Sequence, residues 1–218
     1  VDSSFKVKTD ATQCLFYGLG SDGTVSANKS SIKIIGDNTD LYCQAYFAYD
    51  SKKSGGATRS NLRFGPTPIR STYYINRADF ISCSVDNYVF KYDMLRNLKD
   101  GGTFLLNTSF SKDEVANYLP NRVKKQLAEK HAKLYIIDAT KLAEECHMGR
   151  HTNTILQSAF FALNQNILPL DEAIRLMKEA AKKSYGSKGD AIVESNYQAI
   201  DAGKDKMVEV EVDPAWAD

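Results

Sequence analysis

Three clusters in this chain carry the residue types that grip an anion. The first is Gly18-Leu19-Gly20-Ser21-Asp22-Gly23-Thr24, placed after the apolar run Cys14–Tyr17 and before a segment with Val25, Ala27, Ile32, Ile34 and Ile35 at helical spacing. Strand, glycine turn and helix start, in that order, build an anion site in an α/β fold. Glycines admit backbone angles closed to other residues and let a ligand come close to the main chain. The helix start presents free N–H groups and the positive end of its dipole. Gly20, Ser21, Asp22, Gly23 and Thr24 are therefore candidate contacts, with Ser21, Asp22 or Thr24 available as a cap. The second cluster is Ser51-Lys52-Lys53-Ser54-Gly55-Gly56. It follows the apolar, aromatic run Leu41–Tyr49, so it is expected at the same sheet edge as the glycine turn, where open α/β sheets bind ligands. Lys52 and Lys53 supply charge and Ser54 a hydrogen bond. The third is Gly149–Thr154, which opens the apolar segment Thr152–Leu163. Arg150 and Asn153 there suit phosphate or amide recognition. The plain alternatives are a strand–helix turn, a solvated basic turn and an ordinary helix cap.

Other chemistries lack their residues. Gly18-x-Gly20-x-x-Gly23 has the dinucleotide spacing, but that motif wants an acidic residue about 20 positions on, at a strand end. Asp37 and Asp40 precede the next strand, and Asp50 lies rather far along. No G-x-S-x-G elbow, P-loop or HExxH is present. No carboxylate pair stands out, so no catalytic residue is assigned. Cys14, Cys43, Cys83 and Cys146 are scattered without CxxC spacing, and Cys146, His147 and His151 have no further cluster beside them, so no metal site is assigned. Buried free thiols in a reducing cytoplasm are the expectation. A net charge of +1 argues against a nucleic-acid partner. No run of about 18 apolar residues predicts a membrane span.

The elements that position these clusters follow from periodicity. Cys14–Tyr17, Leu41–Tyr49, Phe80–Val85, Thr103–Asn107 and Lys133–Ala139 read as strands, with Leu41–Tyr49 expected as a buried parallel one. Thr58–Phe64 and Ser71–Ile75 read as extended, antiparallel pieces. Helices are expected over Thr24–Gly36, Tyr88–Leu98, from Ser111 (a capping box with Glu114), over Arg122–Lys130, Thr140–His147 and Thr152–Leu163, over Glu172–Lys183 capped by Asp171, and over Ala191–Gly203. The fold class is α/β: three layers, a mostly parallel central sheet with helices on both faces, Rossmann-like, with a small antiparallel piece. Residues 1–10 are expected as a linker or edge segment, 11–205 as one domain and 206–218 as a C-terminal linker.

Several stretches resemble a known family. GLGSDGTVSANKSSIKIIG and YDSKKSGGATRSNLRFGPTPIRSTYYI are similar to the γ-type domain of pyruvate:ferredoxin (flavodoxin) oxidoreductases, as are NRADFISCSVDNYVFKYDMLRNLKDGGTFLLNTS and GRHTNTILQSAFFAL. The resemblance runs roughly from Lys6 to Lys204 and departs from the family at Ser26, where a Gly is frequent, and at His151, where a second Arg is common.

The resemblance implies oxidative decarboxylation of pyruvate to acetyl-CoA and CO2, with electrons passed to ferredoxin or flavodoxin. It implies thiamine diphosphate, magnesium and 4Fe–4S clusters in other domains or subunits, and coenzyme A in this one. The chain alone is then expected to be inactive. Its first residue, Val1, favours a piece of the long single-chain form. Coenzyme A also suits the residues themselves. Its phosphates match the Asp22–Thr24 helix start, Lys52, Lys53 and Ser54, with Arg150 and Asn153 for the adenine, the pyrophosphate or a neighbouring domain. Asp22 repels phosphate and is expected to cap or to contact ribose. A free-standing dinucleotide-binding domain and an interaction or scaffolding domain are the rival readings.

Overall fold

In the computed structural model, residues 10–49 and 56–218 are described. Seven strands form one sheet in the order β2-β3-β1-β4-β5-β6-β7. They are β1 (Thr12–Leu19), β2 (Tyr42–Tyr49), β3 (Ala57–Gly65), β4 (Ala78–Cys83), β5 (Leu98–Asn107), β6 (Lys133–Ile137) and β7 (Val208–Val210). β1, β2, β4, β5 and β6 run one way; β3 and β7 run against them. The sheet is mixed and mostly parallel in direction, as expected. It is covered on two faces by α1 (Thr24–Asn38), α2 (Tyr88–Lys91), α3 (Lys112–Tyr118), α4 (Asn121–Glu129), α5 (Ala139–Glu145), α6 (Asn153–Leu163), α7 (Leu170–Tyr185) and α8 (Asp190–Asp205).

Alternation along β1 divides the core. Cys14 and Phe16 point into a cluster with α1 and α5–α8, where Phe16, Phe80 and Phe160 meet edge to ring. Leu15 and Tyr17 point into the opposite cluster, with α2, α3 and α4. Both faces are buried, so β1 reads as a continuous apolar run. Within the first layer α6 and α8 cross closely. A side chain at Gly203 would collide with the Ile155 carbonyl, and the Ser158 hydroxyl donates to Ile200 O.

Five expectations are corrected. Leu41–Tyr49 yields an edge strand, paired only with β3 and antiparallel to it. Only seven residues separate Tyr49 from Ala57, fewer than a parallel crossover needs, which leaves antiparallel pairing of β2 with β3. Ser71–Ile75 forms no strand. It is a strap laid over β2 and β3, whose side chains take its backbone groups: Gln44 donates to Ser71 O (2.5 Å), Arg63 to Tyr73 O (2.7 Å) and Arg59 to Ile75 O (2.6 Å), while Asn61 accepts from Ile75 N–H (3.0 Å). α1 runs through Gly36 to Asn38, because a helical glycine costs only about 1 kcal/mol. The Tyr88–Leu98 segment divides into α2 and a 3-10 turn, Met94–Asn97, with Tyr92 extended between them. Pro169, not Asp171, precedes α7; Asp171 lies in the first turn, where its charge complements the dipole.

The supposed C-terminal linker also joins the fold. β7 pairs with β6, and the 3-10 turn Pro214–Ala217 lays Trp216 against Lys124 of α4 at 5.9 Å. Alternating Val and Glu suit an edge strand with one face buried; Val210 is the buried residue. The Ser111–Glu114 capping box forms as expected. Residues 1–9 lie outside the described residues.

Among the described residues, Arg63 is the largest fully buried side chain and meets no carboxylate. Its guanidinium donates to Gln13 Oε1 (3.0 Å), Gln44 Oε1 (2.8 Å) and Tyr73 O, and stacks on Tyr73. Burial draws its pKa below the ordinary arginine value. Arg63→Ala leaves three acceptors unpaired in the interior and is expected to cost about 3 kcal/mol or more, checked by urea unfolding. Burial raises the Cys14 thiol and pushes Cys83 up to about 12. Both stay protonated at pH 8, so a thiol reagent is expected to spare Cys14 and Cys83 in the folded chain and to label them in denaturant.

Candidate functional site

The glycine turn leaves the carboxyl end of β1 and enters α1. Each glycine answers a steric demand within the protein. A Cβ at Gly18 would collide with the Thr24 side chain, and one at Gly20 would sit 3.3 Å from Gly56 O. Gly23 has φ +89°, and a Cβ there would lie 2.9 Å from Asn153 Cγ. Ser21 also has positive φ, at 79°.

Asp22 holds the turn together. Its Oδ2 accepts from Leu19 N–H (2.9 Å) and the Ser84 hydroxyl (2.7 Å); its Oδ1 accepts from Thr24 N–H (2.9 Å) and the Thr24 hydroxyl (2.6 Å). One carboxylate thus ties the end of β1, the start of α1 and the residue after β4. The expected capping role of Asp22 fits these bonds, although Gly23 occupies the cap position itself. With the Thr24 amide taken, the first-turn N–H groups of Val25 and Ser26 have no intrahelical acceptor.

α6 starts beside this turn. No side chain caps it; Thr152 precedes it in helical conformation, and its first internal bond is Leu156 N–H to Thr152 O. Asn153 therefore brings a second uncapped helix start against Gly23. Arg150 is exposed in the preceding loop, and its guanidinium has no partner among the described residues. Lys52, Lys53 and Ser54 lie outside the described residues. The segment's last residue, Gly56, accepts a hydrogen bond from Gly20 N–H at 2.9 Å.

Sequence reasoning missed three polar residues here. Ser84 follows β4 at the same edge and reaches Asp22. Asn28, one turn into α1, and Ser82 line a small cavity of about 20 Å³ with Thr24 and Asn153. Asn28 Nδ2 is buried there without a hydrogen-bond partner, and the space suffices for one water. The available signal was a serine at a strand end and an asparagine on the apolar stripe of α1. Beyond it, a groove of about 230 Å³ runs between α1, α6, α7 and α8, lined by Ser26, Thr154, Gln157 and Asn196 among others.

The topology counts against the dinucleotide reading. That motif places the strand after the first helix beside the first strand. Here antiparallel β3 separates β2 from β1.

A family model described as pyruvate ferredoxin/flavodoxin oxidoreductase matches residues 13–206. The chain belongs to the pyruvate ferredoxin/flavodoxin oxidoreductase family. It is 52% identical over 206 residues to a pyruvate dehydrogenase [NADP(+)] of Cryptosporidium parvum, covering 94% of this chain and 11% of that protein. It is 50% identical over 206 residues to the pyruvate:ferredoxin oxidoreductase of Moorella thermoacetica, covering 94% of this chain and 18% of that one. The chain thus spans less than a fifth of the length of the curated relatives it matches. The fold matches pyruvate oxidoreductase subunit PORC of Thermotoga maritima with a TM-score of 0.72 at 17% identity, over 93% of this chain and 100% of that one. It matches a 2-oxoglutarate:ferredoxin oxidoreductase of Magnetococcus marinus with a TM-score of 0.62 at 18% identity, over 96% of this chain and 31% of that one. The three-layer fold expected for a member of this family is the one observed. Among the described residues, no helix is long and apolar enough to cross a membrane.

Gly23→Ala forces a Cβ into both an unfavourable backbone region and the Asn153 side chain. The expected loss is about 1–2 kcal/mol from the backbone alone, read as a melting temperature lower by about 2–8 °C.

Proposed function

We propose that this chain is the coenzyme A-handling domain of an enzyme that oxidatively decarboxylates pyruvate or a related 2-oxoacid. The products are the acyl-CoA and CO2, and the electrons pass to ferredoxin or flavodoxin. The observation that carries this reading is the meeting of two helix starts, α1 and α6, at Gly23, with first-turn N–H groups left free and Gly56 bonded to the same turn. Free N–H groups and the positive ends of two helix dipoles favour a phosphate.

The local carboxylate is already neutralised by four donors, so Asp22 shapes the turn rather than confronting the ligand. Gly20, Ser21, Gly23 and Thr24 then bring backbone to the pyrophosphate, and Asn153 offers an amide. Lys52, Lys53 and Ser54 provide the remaining charge and hydroxyl, and exposed Arg150 reaches the adenosine end or a neighbouring domain. The Magnetococcus marinus structure of similar fold is described with coenzyme A and succinyl-CoA bound, which supports the same ligand here. Thiamine diphosphate, magnesium and 4Fe–4S clusters supply decarboxylation and electron transfer from other domains or subunits, in a cytoplasmic enzyme. One similar relative is named for NADP(+) and another for ferredoxin, which supports an acceptor chosen outside this domain.

The decisive comparison uses the intact enzyme. Lys52→Glu with Lys53→Glu is expected to raise the KM for coenzyme A by about tenfold or more, since a bond to a charged group contributes about 1.5–3 kcal/mol. The KM for the 2-oxoacid stays as it was. An unchanged KM for coenzyme A overturns the proposal in favour of a scaffolding domain.

A further inference from the structure

A broad concavity lies on the opposite face of the sheet from α1, and the coenzyme A reading leaves it unused. It encloses about 750 Å³. Ala48, Arg59 and Tyr17 are register neighbours across β2, β3 and β1 and share one face there. Tyr49, Asn76, Tyr92 and Arg96 also line the space. The cleft exists because Ala48 is small and no helix covers β2 and β3 on this face.

Its chemistry is cationic and aromatic. Arg59 is flanked by the rings of Tyr17 and Tyr74, at 5.8 and 5.7 Å. It gives one hydrogen bond, to Ile75 O, and its Nε is buried without a partner. Among the described residues no carboxylate forms an ion pair with Arg59 or Arg96. Asp93, also at the cleft, accepts from Gln126. Beside the cleft the aromatic surface continues on the same face: Tyr46 and Tyr74, each 50% exposed, meet ring against ring. Tyrosine and arginine around a partly desolvated pocket are the composition of an interface hot spot.

We propose that this cleft receives a carboxylate-bearing segment from another part of the intact oxidoreductase. Two arginines with no acidic partner among the described residues call for one, and the planar guanidinium pairs with carboxylate through two parallel bonds. In the curated relatives the matching stretch occupies 11–18% of the polypeptide, so a covering body belongs to the same molecule. A small anion would fill the arginines but leave the adjoining tyrosines bare, whereas a protein segment covers both.

Photo-crosslinking in the intact enzyme tests this. With p-benzoylphenylalanine placed at Tyr46, which shares the cleft face of β2 with Ala48, the expected adduct is a peptide from outside this domain, with Asp or Glu beside the attachment point. Arg96→Glu is expected to lower the adduct yield by about tenfold or more, as loss of an interfacial charge pair does. Changing the identified acidic residue to Lys in the Arg96→Glu background is expected to restore it. No adduct, an adduct only with a second copy of this domain, or a yield indifferent to Arg96→Glu overturns the proposal. Arg96 and the lysine pair are altered separately, so this inference and the coenzyme A reading stand or fall independently.

Discussion

A single carboxylate organises the binding edge of this domain. Asp22 sits where the first strand hands over to the first helix, and it collects four donors from three different segments. In many α/β proteins the positive end of the first helix waits for a ligand. Here part of that field is answered by the protein itself, which fixes the turn before any ligand arrives. The glycines around Asp22 follow from the same compactness: Thr24, Gly56 and Asn153 approach so closely that Gly18, Gly20 and Gly23 have no room for side chains. Under the coenzyme A proposal, preorganisation of that kind lowers the ordering cost of binding.

The other constraint is polar and lies across the sheet. β2 and β3 have a helix on one face and only a strap on the other. The strap is held by Gln44, Arg59, Asn61 and Arg63, whose side chains replace the backbone ladder that a strand would have made. A buried guanidinium without a counter-ion is tolerable here because neutral oxygens satisfy its donors. The arrangement places tyrosines outward at a free sheet edge, the opposite of a self-contained monomer's surface.

Much of this was legible from residue order. Continuous apolar runs gave β1, β4, β5 and β6, and the Ser111–Glu114 pair gave a capped helix, because both signals are local. The alternation of strand-like and helix-like segments indicated the layered α/β architecture. The failures have a common physical origin in long-range pairing. The aromatic β2 segment looked buried because its hydrophobicity was read without knowing that it ends the sheet. Ser71–Ile75 has β-forming residues, but side chains 10 to 27 positions away claimed its backbone. Within the site, the meeting of Asn153 with Gly23 could be suspected only from two separate helix starts, and the role of Ser84 rests on a contact across 62 positions.

The close crossing of α6 and α8 sets how this edge can respond. With Gly203 pressed under the Ile155 carbonyl and Ser158 bonded to Ile200, neither helix can slide past the other without steric collision. The amide end of α6 is thereby anchored to a sixteen-residue lever that also packs on α7. Both sides of the Gly23–Asn153 contact are therefore held from behind, the α6 side by this crossing and the Leu19–Thr24 side by the four bonds to Asp22.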